Sequence, residues 1–297
     1  METIGFIGLG IMGRPMCKNL MKAGYKTVVF DVVPAAVQEM VAEGAEAVSS
    51  PAEVASKVKR MITMLPDSPQ VKQVVTGPKG ILEGASAGSI VIDMSSIAPL
   101  AAKEVHDAAK AKGVRMIDAP VSGGQPGAIN ATLSIMVGGD KADFEESLDL
   151  LKVLGKSVVL VGSIGAGNTV KLANQIIVAL NIAALSEALV LGVKAGVDPE
   201  AIFDAIKGGL AGSNVMNAKA PMMMDRNFNP GFRIDLHIKD IANALQTGKE
   251  LNVPLPLTAQ VAQIMQALKA MDLGSADHSS IVRYFESISG TEVKRIH

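Results

Sequence analysis

The chain has 297 residues, a formal net charge of −1 and a hydrophobic content of 48%. This length is enough for two domains or one large one, and the composition supplies a sizeable core. The balanced charge argues against nucleic acid or an anionic membrane surface as a partner, and the sequence contains no nucleic-acid-binding motif. A single cysteine, Cys17, excludes a disulfide framework and favours a cytoplasmic location. Its position in a predicted helix favours burial over nucleophilic chemistry.

The first predicted strand, Thr3–Ile7, runs directly into a G-x-G-x-x-G sequence. Gly8 permits the tight turn, Gly10 lets a pyrophosphate approach the backbone, and Gly13 lets helix and strand pack closely. The helix that follows points its N-terminus at the anion. This strand–turn–helix context favours dinucleotide binding over an ordinary glycine-rich turn. The predicted cofactor-binding residues of this loop are Gly8, Gly10, Ile11, Met12 and Gly13.

A second predicted strand, Lys26–Phe30, ends on Asp31. A carboxylate at this position can accept hydrogen bonds from the ribose 2′-OH and would repel a 2′-phosphate. Val32 and Val33 follow, where an NADP site would favour an arginine. The alternative is that Asp31 caps the helix that begins near Pro34. Together with the glycine loop, Asp31 favours the ribose role and predicts NAD (NADH) as the cofactor.

Strands alternate with helices in the first half of the chain. The predicted strands after the second are Arg60–Met64, Ser89–Asp93, Arg115–Asp118, Leu133–Val137 and Ser157–Val161, with helices such as Pro99–Lys112 and Lys141–Leu154 between them. This alternation predicts an α/β, Rossmann-type, doubly wound and largely parallel sheet. After Gly165 the predicted segments are all helical. We therefore predict an NAD-binding domain over residues 1–162 and an all-α C-terminal domain over residues 163–297.

The helical half contains one segment, Ile176–Val193, that is apolar on nearly every face. Such a helix either spans a membrane or is buried in a large protein or an interface. Glu187 near its middle favours burial between domains or subunits, so no membrane partner is expected. One further predicted helix begins at Asp198-Pro199. Three more are predicted over Ile234–Thr247, Leu257–Lys269 and His278–Ser287.

Strand ends in the first half supply the candidate contacts with cofactor and substrate, because ligands of open α/β sheets bind beyond the carboxyl ends of the strands. Leu65 and Pro66 follow one strand and Ser96 follows another, although ordinary turns would look the same. Ser122, Gly123 and Gly124 follow a third. Their backbone N–H groups suit a substrate carboxylate, and the alternative is a generic loop.

Lys171 lies one turn after Gly165-Ala166-Gly167, at the start of the apolar helix. The helix dipole and partial burial would lower its pKa toward the range of a general acid or base. Asn174 and Gln175 lie on the same helical face and could orient the lysine or bind substrate. The alternative is a surface lysine on an amphipathic helix.

Lys239 and Asp240 form the last candidate group, which could reach the cofactor or substrate or could lie on a solvated helix face. No metal site is predicted, because the four histidines are scattered without metal-ligand spacing. They are His106, His237, His278 and His297.

Taken in order, four segments resemble the β-hydroxyacid dehydrogenase family: Gly5–Gly13, Asp118–Gly124, Gly165–Gln175 and His237–Asp240. The resemblance covers essentially the whole chain. It implies a small carboxylate or semialdehyde substrate and a homo-oligomer, either a dimer or a tetramer.

The resemblance also implies that Lys171 is catalytic, and that Ser96 and Lys239 touch the cofactor or lie beside it. It assigns the substrate carboxylate to Ser122–Gly124. Many relatives carry two successive asparagines where this chain has Asn174 and Gln175, so either residue could contact the substrate. A non-catalytic dinucleotide-binding module is the alternative from another class, although such a protein could dispense with Lys171.

Overall fold

The computed structural model describes residues 2–295, so His297 lies outside the described residues. The chain divides into two compact units, Met1–Lys171 and Leu172–His297. Helix α9, Ala166–Lys194, belongs to both, since it runs through the point of division. The sequence-based domain boundary near Ser163 stays a prediction.

Within the described residues, the first unit contains one nine-stranded sheet. Its strands are β1 Thr3–Ile7, β2 Lys26–Phe30, β3 Glu46–Ala47, β4 Arg60–Thr63, β5 Ile90–Asp93, β6 Arg115–Asp118, β7 Val121–Ser122, β8 Leu133–Gly138 and β9 Gly155–Gly162. The strand order is β3-β2-β1-β4-β5-β6-β8-β7, with β9 paired to β8. Strands β1 to β6 are parallel, which confirms the predicted doubly wound sheet.

Two strands depart from the parallel arrangement, because β8 runs antiparallel to β6 and β7 and β9 runs parallel to β8. A parallel crossover needs a dozen or more residues. Only the six-residue helix α7, Gly124–Ile129, and a short turn separate β7 from β8. The chain therefore returns in the opposite direction.

Helices cover both faces of the sheet. Those of the first unit are α1 Gly13–Lys22, α2 Pro34–Ala42, α3 Pro51–Lys57, α4 Ser68–Thr76, α5 Ile81–Gly84, α6 Pro99–Ala111, α7 and α8 Lys141–Leu154. Successive strand residues point to opposite faces. Thus Ile62 of β4 packs in one cluster with Leu20 of α1 and Leu151 of α8, whereas its neighbour Met61 packs in another with Val105 of α6. Each such buried apolar side chain contributes about 1.5–3 kcal/mol.

The regular secondary structure in the described residues of the second unit is helical, apart from an isolated bridge between Arg233 and Asp277. After α9 come α10 Pro199–Ile206, α11 Asn214–Met224, α12 Ile234–Glu250, α13 Pro256–Ala270, a 3-10 helix His278–Ser280 and α14 Ile281–Ser289. Met223 and Met224 lie in its core. Helix α11 itself was not predicted from the sequence.

Helix α9 is long and apolar enough to cross a membrane, judged by length and composition, and 33% of its most apolar stretch is buried in the chain. A single such helix is weak support for a membrane span. The predicted burial of Ile176–Val193 thus holds for only part of the segment within this chain. Because the helix is apolar on nearly every face, one packed side leaves the rest exposed.

A buried carboxylate, Asp277, anchors the loop that leads into α12. It accepts hydrogen bonds from the backbone N–H groups of Gly231 and Phe232 at 2.9 and 3.0 Å, and from Lys219 Nζ at 2.9 Å. Burial raises the pKa of Asp277, but the positive charges of His278 and Lys219 and the hydrogen bonds outweigh burial and lower it to about 2.

We expect Asp277→Asn to destabilise the protein by roughly 2–4 kcal/mol at pH 7, because it leaves partly buried Lys219 without its counter-charge. A depressed carboxyl pKa stabilises the folded state above the unfolded value near 3.8 and loses that contribution as the pH falls toward 2. Urea unfolding at pH 7 and pH 3 measures this, and the gap between the two proteins should narrow at pH 3. The control is Asp204→Asn, which removes an exposed ion pair with Lys207 and should cost less than about 1 kcal/mol. Equal losses from both substitutions would contradict the assignment.

Candidate active site

The glycine loop lies beyond the carboxyl ends of β1 and β4, where the strand order reverses. Gly8 has φ +98°, and a Cβ atom there would collide with the carbonyl oxygen of Met64. A Cβ atom on Gly13 would collide with the carbonyl oxygen of Gly8. By contrast, no atom lies within 4 Å of a Cβ built on Gly10. Gly8 and Gly13 therefore close the turn. Gly10 leaves open space at the helix start that suits a pyrophosphate.

Asp31 supports this loop at the end of β2. Its carboxylate accepts hydrogen bonds from Leu9 N at 2.5 Å and Val33 N at 2.8 Å. Helix α2 has Val33 as its N-cap residue, so Asp31 does not occupy the capping position. Val32 is 84% exposed. The carboxylate is thus fixed beside the glycine loop, and each oxygen keeps a further lone pair for a ribose hydroxyl.

A buried carboxylate joins the two next strand ends. Asp93 Oδ1 accepts hydrogen bonds from Thr63 Oγ1 at 2.8 Å and from Ser95 N at 3.2 Å. Ser95 Oγ in turn accepts a hydrogen bond from Leu65 N at 2.9 Å. Burial raises the pKa of Asp93 to about 6, against the hydrogen bonds that lower it. The turns that carry the predicted residues Leu65, Pro66 and Ser96 are therefore held together.

Ser122, Gly123 and Gly124 connect β7 to α7. Gly123 has φ +134° and Gly124 has φ +59°, conformations that side chains other than glycine rarely adopt. Consecutive N–H groups in such a turn form a concave surface that suits an anion. The geometry is consistent with the predicted carboxylate site.

Lys171 lies in α9 and is 6% exposed, so it is not the surface lysine of the alternative interpretation. The first turn of its helix is bound to Asp118, the last residue of β6. Asp118 accepts hydrogen bonds from Gly165 N at 2.7 Å and from Asn168 N at 2.7 Å. Burial raises the pKa of Asp118 to about 6, although these hydrogen bonds lower it. Lys171 is thus carried by a helix that is fixed to the sheet edge.

The second unit contains a connected polar group on α9 and α12. Asn174 Nδ2 donates to Gln175 Oε1 at 2.9 Å, and Gln175 Nε2 donates to Asp240 Oδ2 at 2.5 Å. Lys239 Nζ lies 2.9 Å from Asp240 Oδ1. Asp240 is buried, which excludes the solvated-face interpretation for this residue. Three predicted site residues are therefore joined through one carboxylate.

Two buried histidines reinforce the same part of α12. His237 Nε2 lies 3.2 Å from the carbonyl oxygen of Gln175, and His237 Nδ1 lies 3.0 Å from His278 Nδ1. A carbonyl only accepts, so Nε2 of His237 carries the proton in this pair. Phe232 packs edge-on against both rings. This arrangement fixes the backbone at Gln175 relative to α12.

Sequence reasoning assigned no role to Asp93, Asn168 or the carboxylate of Asp118. Asp93 and Asp118 each end an apolar strand, and they are register partners in the sheet. An acidic residue that ends a buried strand costs free energy unless it is hydrogen-bonded. That position is the signal that could have identified both carboxylates as structural anchors. Across residues 2–295, no group of three or more histidine, cysteine, aspartate or glutamate residues could hold a metal ion.

Two family models match the chain. Residues 3–162 match the NAD-binding domain of 6-phosphogluconate dehydrogenase. Residues 165–285 match the NAD-binding model of NADP-dependent 3-hydroxyisobutyrate dehydrogenase. Together the two models cover most of the sequence and both describe nicotinamide dinucleotide-binding dehydrogenases.

Individual relatives agree over nearly the full length. The 2-(hydroxymethyl)glutarate dehydrogenase of Eubacterium barkeri is 43% identical, with 98% of this chain and 97% of the relative covered. The 2-hydroxy-3-oxopropionate reductase of Escherichia coli (strain K12) is 44% identical, with 95% and 97% covered. Among solved structures, Mycobacterium tuberculosis 3-hydroxyisobutyrate dehydrogenase with L-serine has a TM-score of 0.90 at 33% identity, with 96% and 99% covered. The chain therefore belongs to the β-hydroxyacid dehydrogenase family of NAD(P)-dependent oxidoreductases.

Proposed function

We propose that the protein reduces tartronate semialdehyde (2-hydroxy-3-oxopropanoate) to D-glycerate with NADH, and catalyses the reverse oxidation. The observation that carries this proposal is the buried Lys171, one turn into a helix anchored at the carboxyl edge of the dinucleotide-binding sheet. A lysine is an unusual residue to bury without a function. At this position it is a candidate general acid or base.

Each candidate residue has a distinct role in the proposed reaction. The bound dinucleotide supplies or accepts the hydride at C4 of its nicotinamide. Lys171 protonates the developing alkoxide during reduction and takes that proton back during oxidation. The backbone N–H groups of Ser122–Gly124 hold the substrate carboxylate, which fixes the direction of the carbonyl group. Asn174 or Gln175 supplies a further polar contact.

One chemical core is shared by the hydroxyacids named for two relatives, the reduction product of 2-hydroxy-3-oxopropionate, and the L-serine present in one solved structure. Glycerate, 3-hydroxyisobutyrate, 2-(hydroxymethyl)glutarate and L-serine are all 3-hydroxypropanoates that differ in the substituent on C2. The substituents are, in that order, a hydroxyl, a methyl, a carboxyethyl and an amino group. A carboxylate site and a lysine that acts on the C3 oxygen serve all four molecules. The identity of 44% with 2-hydroxy-3-oxopropionate reductase makes the hydroxyl substituent a candidate.

A second candidate is oxidation of another member of this series, since 2-(hydroxymethyl)glutarate dehydrogenase is 43% identical. A 3-hydroxyisobutyrate or other short semialdehyde substrate belongs to the same class. The alternative from another class, a non-catalytic dinucleotide-binding module, would not need the buried Lys171 or the glycine turn after β7.

The preference for NADH over NADPH rests on Asp31. Its carboxylate is oriented by hydrogen bonds from Leu9 N and Val33 N. The next residue in the chain is Val32, which carries no positive charge. A 2′-phosphate would meet this negative charge without a compensating arginine. The ribose hydroxyls of NADH would instead donate hydrogen bonds to it.

A homo-oligomer, either a dimer or a tetramer, and a cytoplasmic location belong to the same proposal. Support for assembly comes from α9, where Ile177 is 61% exposed and Leu191 is 73% exposed. Ala184 lies between them and is also exposed. Residues seven apart lie on one face of a helix, so these three form an apolar stripe that association would cover.

Replacing Lys171 with alanine should lower kcat for tartronate semialdehyde reduction by roughly 10²–10⁴-fold, the usual contribution of a general acid or base. Steady-state kinetics at saturating NADH measures the effect. The control is Lys194→Ala at the other end of the same helix, where the ammonium group bonds the exposed carbonyl of Ser289 and turnover should be unchanged. Near-normal turnover of the Lys171 variant would show that another group transfers the proton.

Asp31→Asn should raise the NADPH-to-NADH ratio of kcat/KM by about 10- to 100-fold, because it removes the charge that repels a 2′-phosphate and weakens the ribose contact. Initial rates with each cofactor at a fixed semialdehyde concentration give this ratio. Asp107→Asn, at an exposed site on α6, is the matched control for loss of one negative charge. An unchanged ratio would remove Asp31 from the cofactor site.

A substrate panel decides between members of the 3-hydroxypropanoate series. With NADH, the kcat/KM for tartronate semialdehyde should exceed that for methylmalonate semialdehyde and 2-formylglutarate by about 10-fold or more, since a site built to bind a hydroxyl discriminates against analogues without it. A higher value for either competitor would reassign the substrate within the family. No turnover of any member would favour the non-catalytic alternative.

A further inference from the structure

Two buried side chains, Asp118 and Asn168, connect three parts of the first unit. Asp118 Oδ1 accepts a hydrogen bond from Gly165 N at 2.7 Å. Its Oδ2 accepts from Asn168 N at 2.7 Å and from Asn168 Nδ2 at 3.2 Å. The remaining oxygen of the amide, Asn168 Oδ1, accepts from Ile97 N at 2.9 Å. We call this pair the helix clamp.

The helix clamp joins the end of β6, the start of α9 and the turn after β5. Both side chains are fully buried, so no water competes for these hydrogen bonds. Glycines allow the close approach. A Cβ atom on Gly138 would collide with Asp118 Oδ1, and one on Gly167 would collide with the carbonyl oxygen of Met136. The start of α9 is therefore seated directly on the ends of β6 and β8.

The first turn of a helix is ordinarily its least constrained part, because its N–H groups lack partners within the helix. Here Asp118 supplies acceptors for two of those groups. Its negative charge also lies at the positive end of the helix dipole. Asn168 is three residues before Lys171, so both residues lie on the same side of α9. The position of the lysine thus depends on how firmly this turn is held.

We propose that Asp118 and Asn168 are positioning residues for Lys171. By fixing the first turn of α9 to the carboxyl edge of the sheet, the helix clamp holds the lysine at the distance from the reacting oxygen that proton transfer requires. This inference rests on the proposed catalytic role of Lys171. Neither clamp residue is assigned a contact with substrate or cofactor.

The test is Asn168→Ala, assayed with whichever semialdehyde the substrate panel identifies as best. We expect kcat to fall about 10- to 100-fold, because a misplacement of about 1 Å costs up to 10²-fold. The control is Thr169→Ala in the same turn. Thr169 Oγ1 donates only to the carbonyl of Gly165, at 2.8 Å, on the exposed side of the helix, and kcat should stay within about 2-fold of the native value.

A double variant separates positioning from a general loss of structure. If the helix clamp acts through Lys171, adding Asn168→Ala to Lys171→Ala should not reduce kcat further, since residues that act as a unit are not additive. A further fall of the same size as in the native background would overturn the proposal, as would near-native kcat in Asn168→Ala alone. If Lys171→Ala itself keeps normal turnover, the proposed function fails first, which is a distinguishable result.

Asp118→Asn provides a second variant. The NH₂ group of the asparagine cannot accept a hydrogen bond, so one of the two backbone N–H donors, Gly165 N or Asn168 N, loses its acceptor. This variant should give the same non-additive pattern with Lys171→Ala. Circular dichroism and thermal unfolding of each variant establish that the protein remains folded. If both clamp variants unfold, the pair is required for stability rather than for positioning, and the proposal is wrong.

Discussion

The placement of a carboxylate at the end of β6 is the constraint on which the rest of this architecture depends. A carboxylate deep in a protein is costly unless donors surround it, and Asp118 finds its donors in the first turn of α9. The helix is stabilised in turn, because the N–H groups of its first turn would otherwise lack hydrogen-bond partners. One side chain therefore ends a strand, begins a 29-residue helix and sets the direction in which the chain leaves the sheet.

Several candidate site residues lie on that helix. It carries Lys171 in its first turns and then Asn174 and Gln175, whose amides lead to Asp240 in the second unit. The histidine pair and Asp277 fix α12 and the loop before it. Each unit thus uses buried carboxylates with backbone or amide donors to hold the residues that are candidates for chemistry. These carboxylates are not themselves placed at the reacting atoms.

The family combines a constant reaction with variable substrates, and the arrangement of this chain explains how both are possible. In the proposed function, the glycine loop and the turn after β7 offer backbone N–H groups to a pyrophosphate and a carboxylate, whatever else the ligand carries. In the proposed mechanism, Lys171 acts on the oxygen of C3, which every member of the 3-hydroxypropanoate series carries. The side chains near C2 then discriminate between substrates. The reaction itself does not require particular residues there, so relatives of similar identity to this chain carry the names of different substrates.

Most of the secondary structure and the dinucleotide loop could be predicted from the sequence, because they depend on residues that are close together in the chain. The period of apolar residues predicted seven of the nine described strands and most helices, and the spacing of Gly8, Gly10 and Gly13 with Asp31 indicated a dinucleotide. The two-residue strands β3 and β7 and the helices α7 and α11 are among the elements that were not predicted. The antiparallel pairing of β8 and the partial exposure of α9 depend on what packs against them. Apart from near neighbours in the chain, the partners of Asp93, Asp118 and Asp240 lie 30 to 65 residues away. Only the tertiary structure decides such pairings, because a buried carboxylate selects its donors by proximity in space rather than by position in the chain.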